Sequence, residues 1–407
     1  MKKYVFTLIS LLSSLLLTAQ TLSPRDTLAC DTALCDSVPY PQRVCQRLDS
    51  LVALSRVLYT SQLGLVVYDL TADSLIYRRN ARQTMRPASI MKLLTAIAAI
   101  DRLGGSYQYR TTLYYTGRVV DRTLNGDLIV VGGMDPRFNT DDLTAFTESV
   151  LALGVDTVRG RIVADRSFKE PELLGEGWCW DDDNPVLTPL LLNRKDNLTE
   201  RLAARLADSG VSVDVTLAEG TLPAAATRLC QRTHSIEQVL QKMMKESDNL
   251  YAEATFYQLA AAAGGRPARA KSAATAIKKL IQRVGLEPAN YRIADGSGLS
   301  LYNYVSPELM VRLLRYAWRN TTISDVLLPT LPVAAVDGTL QGRMKGTAAA
   351  GNVQAKTGTL TGISSLAGYC RAANGHQLCF AIINQGVMRT GDGRAFQDAV
   401  CNALCGR

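Results

Sequence analysis

The order of the predicted strands and helices constrains the fold of this chain more than any other feature of its sequence. Strand-like alternation at 63–70 and 74–77 comes early, helical patterns fill the middle, and a strand-rich stretch at 353–384 precedes a last helix. Early and late strands can share one sheet if the helices between them pack on its faces. We therefore predict an α+β fold in which an antiparallel sheet is flanked by helices.

Residues 107–225 differ in character from the stretches on either side. Their predicted elements are strands at 109–120, 127–131 and 158–164 and a short helix at 198–206. We predict that 107–225 forms an inserted, smaller α/β domain, and that 40–106 and 226–407 together form the main domain.

The first 20 residues have the pattern of a secretory signal peptide. Two lysines precede an apolar run from Tyr4 to Leu17, and the small residue Ala19 follows it. The alternative is an uncleaved membrane anchor, but the run is short for a bilayer span and contains three serines. Residues 21–39 are polar and turn-rich, which predicts a linker. We therefore expect an exported, periplasmic protein.

The composition argues against nucleic-acid binding and against a metal centre. Lysine and arginine number 45 against 37 aspartates and glutamates, a mild excess spread along the chain, so we expect no nucleic-acid binding. His234 and His376 are the only histidines, and no Cys-x-x-Cys pair occurs, so we expect no metal centre. The acidic run Asp181–Asp183 favours a solvated loop over a cation site.

Nine cysteines suit an oxidising compartment. The pair Asn374-Gly375 lies between two strand-like runs, which is the signal of a hairpin with a two-residue turn. In that register Cys370 and Cys379 lie opposite each other at a non-hydrogen-bonded position, where Cα atoms are about 4.5 Å apart. That separation suits a disulfide, and we predict a Cys370–Cys379 bond.

The first motif with chemical meaning is Ser89-Ile90-Met91-Lys92, just after Pro87 at the start of a predicted helix. Residues three apart on a helix share a face, so the Ser89 hydroxyl and the Lys92 amine can be hydrogen-bond neighbours. The free N–H groups of a first helical turn favour an oxyanion, and burial lowers the pKa of a lysine. Taken alone, the motif is common by chance, and Ser89 could simply cap the helix.

Two further motifs lie far along the chain. Ser247-Asp248-Asn249 precedes a predicted helix, and Lys356-Thr357-Gly358-Thr359 ends a short strand. Taken singly, the first could be a helix cap and the second a strand-end turn. Gly358 has no side chain, so a substrate could lie against the edge of that strand.

Together, in this order and in these settings, the three motifs resemble those of the serine penicillin-recognising enzymes. The long separation of Ser89 from Ser247 accommodates the predicted insert, which β-lactamases lack. Segments such as Asp295–Ser300 and Val336–Leu340 are similar to those of the class C (type-4) low-molecular-mass penicillin-binding proteins. The resemblance covers nearly the whole chain after residue 40, although the insert is short for that family.

The resemblance implies a serine D-alanyl-D-alanine carboxypeptidase, with endopeptidase action on peptide cross-links as a further expectation. Ser89 would be the nucleophile, Lys92 its base, and Ser247 a proton relay to the leaving amine. The remaining implied site residues are Asn249, which would orient Lys92, Lys356, and the substrate-binding Thr357, Gly358 and Thr359. Implied partners are peptidoglycan stem peptides as substrates and β-lactams as inhibitors, with peripheral contact to membrane or cell wall; no cofactor is implied.

Three other interpretations stay open at this point. A β-lactamase or esterase could use the same fold, and a cell-wall binding protein could keep the motifs without activity. A Ser-His-Asp hydrolase would have to use His234 or His376, but no Gly-x-Ser-x-Gly elbow occurs. Trp178 and Trp180 could stack on sugar rings, although burial in a core or interface is the preferred interpretation.

Overall fold

The structure is a computed structural model that describes residues 39–181 and 184–406. The predicted signal peptide, all but the last residue of the predicted linker, and Asp182 and Asp183 of the acidic run lie outside the described residues. Within the described part of the chain, no helix combines the length and apolar character needed to cross a membrane.

The helices and strands fall into three stretches. The first holds helix α1 (Tyr40–Leu54), strands β1 (Gln62–Asp69) and β2 (Ser74–Arg79), and helix α2 (Met91–Leu103) after a 3₁₀ turn at Ala88–Ile90. The second holds strands β3 (Gln108–Tyr115), β4 (Arg118–Val120), β5 (Thr123–Asn125) and β6 (Leu128–Val131), helix α3 (Thr140–Leu151), strand β7 (Thr157–Asp165), helix α4 (Leu198–Asp208), and strands β8 (Ser212–Glu219) and β9 (Thr227–Ser235). The third holds helices α5 (Ile236–Lys245), α6 (Asn249–Gly264), α7 (Ala270–Arg283), α8 (Pro307–Arg319) and α9 (Thr321–Leu327), strands β10 (Gln354–Leu360), β11 (Ile363–Arg371) and β12 (Gln377–Gln385), and helix α10 (Thr390–Cys405).

The first sheet joins strands from the first and third stretches. Its five strands run in the order β10-β11-β12-β1-β2, and every neighbouring pair is antiparallel. Alternate residues of β1 face opposite sides: Leu65 and Val67 pack in the core with α1 and α10, whereas Val66 and Tyr68 pack in the core with α2, α6 and α8. The predicted α+β fold, an antiparallel sheet flanked by helices, is confirmed.

Helix α2 lies at the centre of the larger core. All ten residues from Met91 to Ile100 are buried, because small and apolar side chains surround the helix instead of forming one stripe. The helix packs against α6, and the 3₁₀ turn before it packs against β10. This placement also buries Lys92, the one charged residue in that run.

The second sheet is mixed. It places six strands in the order β4-β5-β7-β6-β3-β9, with β8 beside β7. Strand β7 runs parallel to β5, β6 and β8, and β3 runs antiparallel to β6 and β9. Helices α3 and α4 pack on it through residues such as Phe146 and Leu202. Because β9 lies past residue 225, this sheet extends beyond the predicted end of the insert, and the division into domains stays a prediction.

The predicted Cys370–Cys379 disulfide is wrong. Cys379 lies opposite Tyr369, because the turn between β11 and β12 spans 373–375 instead of two residues, with a φ of 85° at Gly375. A shift of one residue in register moves a side chain to the other face of the sheet. Cys370 therefore packs in the core with α10, Cys379 packs in the core with α2, and both are free thiols.

Candidate active site

The start of α2 brings the first motif together. Ser89 lies in the 3₁₀ turn, and Lys92 follows one turn later on the same side. The Lys92 Nζ donates hydrogen bonds to Ser89 Oγ over 3.1 Å, to Asn249 Oδ1 over 2.7 Å and to the Ser297 carbonyl oxygen over 2.9 Å. These three uncharged acceptors fix the amine beside the serine hydroxyl.

Burial changes the protonation of Lys92. The side chain is inaccessible to solvent, and this desolvation lowers the pKa of Lys92 to about 8. Asp295, Glu253 and Asp248 oppose the shift when they are ionised, without cancelling it. About a tenth of the lysine is then the neutral amine at pH 7, far more than for a lysine in water. The amine can therefore accept a proton from a neighbouring hydroxyl.

A second lysine–serine pair comes from the other two motifs. Lys356 Nζ on β10 donates to Ser247 Oγ over 2.8 Å and to the carbonyl oxygen of Thr357 over 2.8 Å. Lys356 is also wholly buried; this burial, with the charge of Lys92 as the second cause, holds the pKa of Lys356 well below its usual range. Since Asn249 binds Lys92 and Ser247 binds Lys356, the three motifs meet in one site.

The turn between α5 and α6 places Ser247 and Asn249; we call residues 247–249 the Ser-Asp-Asn loop. Ser247 has a φ of 61°, in the left-handed region that non-glycine residues seldom adopt. Asp248 caps α6 by accepting a hydrogen bond from the backbone N–H of Tyr251 over 3.2 Å, and it pairs with Arg194. The loop is therefore held from two sides.

Gly358 lets β10 lie against the start of α2. A Cβ at this position would lie 2.1 Å from Ser365 Oγ, 2.8 Å from the Pro87 carbonyl oxygen and 3.0 Å from the Ser89 nitrogen. Any side chain would therefore push the strand away from Ser89. Thr357 Oγ1 donates to Thr339 Oγ1 over 2.8 Å, so the Thr339 hydroxyl lies beside the edge of β10.

Two buried carboxyl groups to which the sequence assigned no role in the site hold it from behind. Glu253 accepts hydrogen bonds from the backbone N–H groups of Gly296 and Ser297, the latter over 2.7 Å, and burial raises the pKa of Glu253 to about 8. Asp295 accepts from Trp178 Nε1 over 2.9 Å. They fix the loop whose Ser297 carbonyl binds Lys92. Glu253 follows Asn249 by one helical turn, a spacing that could have indicated it.

The other candidates lie elsewhere. His234 Nδ1 is 2.7 Å from Asp135 Oδ2, and His376 Nδ1 is 2.7 Å from Asp69 Oδ2, so each histidine has a carboxylate partner of its own. Trp178 packs against the core, as preferred from the sequence, whereas core burial is wrong for Trp180, which is 84% exposed. Among the residues that the structure describes, no group of three or more histidine, cysteine or acidic side chains could hold a metal ion.

A serine beside a buried lysine, a second serine–lysine pair, and a strand edge over the serine define a serine acyl-transfer enzyme of the penicillin-recognising class. The family model of D-Ala-D-Ala carboxypeptidase 3 (S13) matches residues 44–190 and 191–404. The chain belongs to this family of serine peptidases. The predicted family and the predicted enzyme class, a serine-type D-Ala-D-Ala carboxypeptidase, are therefore confirmed.

Individual relatives agree with this assignment. The D-alanyl-D-alanine carboxypeptidase DacB of Haemophilus influenzae is 26% identical over 417 residues, covering 82% of this chain and 87% of the relative. The D-alanyl-D-alanine carboxypeptidase of an Actinomadura species is 28% identical over 424 residues, covering 79% and 77%. The crystal structure of penicillin binding protein 4 from Haemophilus influenzae has the same fold, with a TM-score of 0.79, 24% identity, and 88% and 98% of the two chains covered.

Proposed function

We propose that this chain is a periplasmic carboxypeptidase that removes the terminal D-alanine from peptidoglycan stem peptides through an acyl-enzyme on Ser89. The observation that carries the proposal is the 3.1 Å hydrogen bond from the Lys92 amine to the Ser89 hydroxyl. The predicted signal peptide and the family support export to the periplasm.

In the acylation step, neutral Lys92 takes the proton of Ser89 as the serine oxygen attacks the carbonyl carbon of the penultimate D-alanine. The oxyanion that forms is held by the backbone N–H groups of Ser89 and Thr359. The close approach of β10 to Ser89, which Gly358 permits, supports this pairing of donors because it brings the strand edge to the first helical turn.

Collapse of the tetrahedral intermediate needs a proton on the leaving amine. Ser247 relays to it the proton that Lys92 took from Ser89. The bond from Lys356 to the Ser247 hydroxyl, and the bond from Lys92 to Asn249 two residues further along the loop, support this role. Asn249 holds Lys92 in place throughout. Water then hydrolyses the acyl-enzyme and regenerates Ser89.

The terminal carboxylate of the substrate binds at the strand edge. The hydroxyls of Thr357 and Thr359 donate hydrogen bonds to it, and Lys356 attracts it as the ammonium, the form that an adjacent carboxylate favours. Without substrate the Thr357 hydroxyl donates to Thr339 over 2.8 Å. When the carboxylate binds, Thr339 donates to Thr357 instead, which leaves the Thr357 proton for the carboxylate.

A β-lactam presents a strained amide in the same place and acylates Ser89. The solved structure of penicillin binding protein 4 from Haemophilus influenzae with a β-lactam supports this expectation for a protein of the same fold. Peripheral contact with the membrane or cell wall stays a prediction from the sequence alone.

The test uses substrate and inhibitor. A peptide ending in D-Ala-D-Ala should release D-alanine, and cross-linked muropeptides resolved by mass distinguish terminal trimming from cleavage of cross-links. Labelled penicillin should acylate the parent and the control Ser74→Ala, an exposed serine on β2, but not Ser89→Ala. Covalent label on Ser89→Ala would exclude Ser89 as the nucleophile, and an adduct that decays within a second would indicate a β-lactamase.

A further inference from the structure

A cavity of about 320 Å³ lies beside the Ser-Asp-Asn loop and outside the site described above. Its walls come from the segment after β6, the turn at 193–194, and helices α5 and α6. The charged side chains that line it are all cations, namely Arg137, Arg194 and Lys242. Among the residues that the structure describes, the cavity therefore has a positive lining and no carboxylate in its wall.

The side chain of Arg137 has a buried hydrogen-bond donor without an acceptor among the described residues. Its Nε is buried and has no hydrogen-bond partner within the described part of the chain. Asp135 is the nearest carboxylate in sequence, but it binds the backbone N–H of Arg137 over 3.0 Å with one oxygen and His234 with the other. A buried donor without an acceptor costs free energy, and an ordered water or an ion from outside the chain is one way to satisfy it.

Lys242 and Tyr251 complete the donor set. Lys242 lies 5.4 Å from the centre of the Tyr251 ring, and it pairs loosely, at 3.6 Å, with the largely exposed Glu246. Burial raises the pKa of Tyr251 to about 12, while the charge of Arg137 opposes that rise. The Tyr251 hydroxyl therefore stays protonated and can donate a hydrogen bond.

We propose that this cavity binds a small oxyanion group, a carboxylate or a phosphate, through Arg137, Lys242 and Tyr251. A guanidinium offers parallel N–H donors that match two oxygens of such a group, and the ammonium adds charge without fixing geometry. The bound group lies next to Arg194, which pairs with Asp248 of the Ser-Asp-Asn loop. The proposed anion site is related to the proposed function only by its position beside the Ser-Asp-Asn loop. Anion binding there does not require catalysis.

Calorimetric titration with inorganic phosphate and, separately, with succinate tests the site and tells the two sources apart. We expect saturable binding of at least one of the two anions. The anion whose charged group matches that of the natural ligand should bind more tightly. Arg137→Gln should weaken binding by about tenfold or more, whereas Lys195→Gln, an exposed cation beside the turn at 193–194, should change it by less than about twofold. Lys242→Gln gives a second variant, with weaker binding expected, in case Arg137→Gln does not fold.

Ser89→Ala separates this proposal from the proposed function. It should bind the anion as tightly as the parent, since the cavity does not include the serine. Binding of neither anion, or equal binding by the parent and by whichever of Arg137→Gln and Lys242→Gln is folded, would overturn the proposal. A protein that binds phosphate but never reacts with penicillin would instead contradict the proposed function alone.

Discussion

The amine of Lys92 lies 3.1 Å from the hydroxyl of Ser89, inside a core that excludes water from the lysine. Within the described part of the chain, none of its three hydrogen-bond acceptors is a carboxylate, although three acidic residues act on it from further away. This combination keeps the lysine accessible to the serine proton and favours its neutral form. The protonation state of Lys92 should therefore control the rate of acylation.

The first prediction concerns the pH dependence of acylation. The reactive form of Lys92 is the neutral amine, and burial lowers the pKa of Lys92 to about 8. The rate of acylation by labelled penicillin should therefore rise about tenfold per pH unit below that value and level off above it. Stopped-time labelling between about pH 6 and about pH 9.5, a range that brackets the pKa of Lys92, measures this profile. A rate that falls as pH rises would show that the protonated amine is the active form.

Gly358→Ala is the second prediction. The added methyl would meet Ser365 Oγ and the backbone at Pro87 and Ser89, so β10 must move away from the first helical turn. We expect acylation to fall by about a hundredfold or more, because oxyanion donors lose their alignment. Gly391→Ala, with open space around its Cβ, is the control and should keep the parent rate. A normal rate in Gly358→Ala would mean that the strand edge takes no part.

The pairing of Ser89 with Lys92 could be predicted because the two residues are close in sequence. Ser89 and Lys92 are one helical turn apart in sequence, so their contact follows from the helix itself. Ser247, Asn249 and Lys356 needed the resemblance to a known family, since nothing in a single sequence places segments this far apart side by side. The fold class was predictable for a related reason: the order of strands and helices is itself a property of the sequence.

The failures have physical causes too. Pairing of Cys370 with Cys379 depended on the length of one turn, and a single extra residue reverses the face of a strand. Glu253 and Asp295 support the Ser297 carbonyl through contacts between distant segments. The sequence alone does not distinguish a buried acidic residue from an exposed one. Arg194 was missed because an exposed turn between elements gives no signal of what it touches.

The third prediction concerns stability. Burial raises the pKa of Glu253 from an ordinary 4.5 to about 8, so the folded state binds a proton that the unfolded state has released across that range. Its contribution to the free energy of unfolding is therefore complete below about pH 4.5 and is lost as pH rises toward 8. Glu253→Gln removes this titration and should flatten the decline in urea-measured stability, by up to a few kcal/mol, whereas exposed Glu148→Gln should not. Parallel curves for parent and Glu253→Gln would contradict a raised pKa.

The last prediction concerns Arg194 as a positioning residue. Its guanidinium pairs with Asp248, whose side chain caps α6 between the two loop residues that bind Lys356 and Lys92. Arg194→Ala removes this restraint on a loop whose Ser247 already has a left-handed φ of 61°. We expect kcat to fall by about tenfold with KM little changed, because the loop acts on proton transfer rather than on the bound carboxylate.

Arg194→Lys should restore part of the lost kcat, since an ammonium can pair with Asp248 but lacks the second donor. Lys195→Ala, the next residue of the same exposed turn, should keep the parent kcat and thereby exclude a general effect of altering the turn. Thermal unfolding should separate the two roles: a purely structural arginine would lower the melting temperature and reduce kcat only in proportion to unfolded protein. If Arg194→Ala melts earlier but retains full kcat per folded molecule, the ion pair serves stability and does not position the loop.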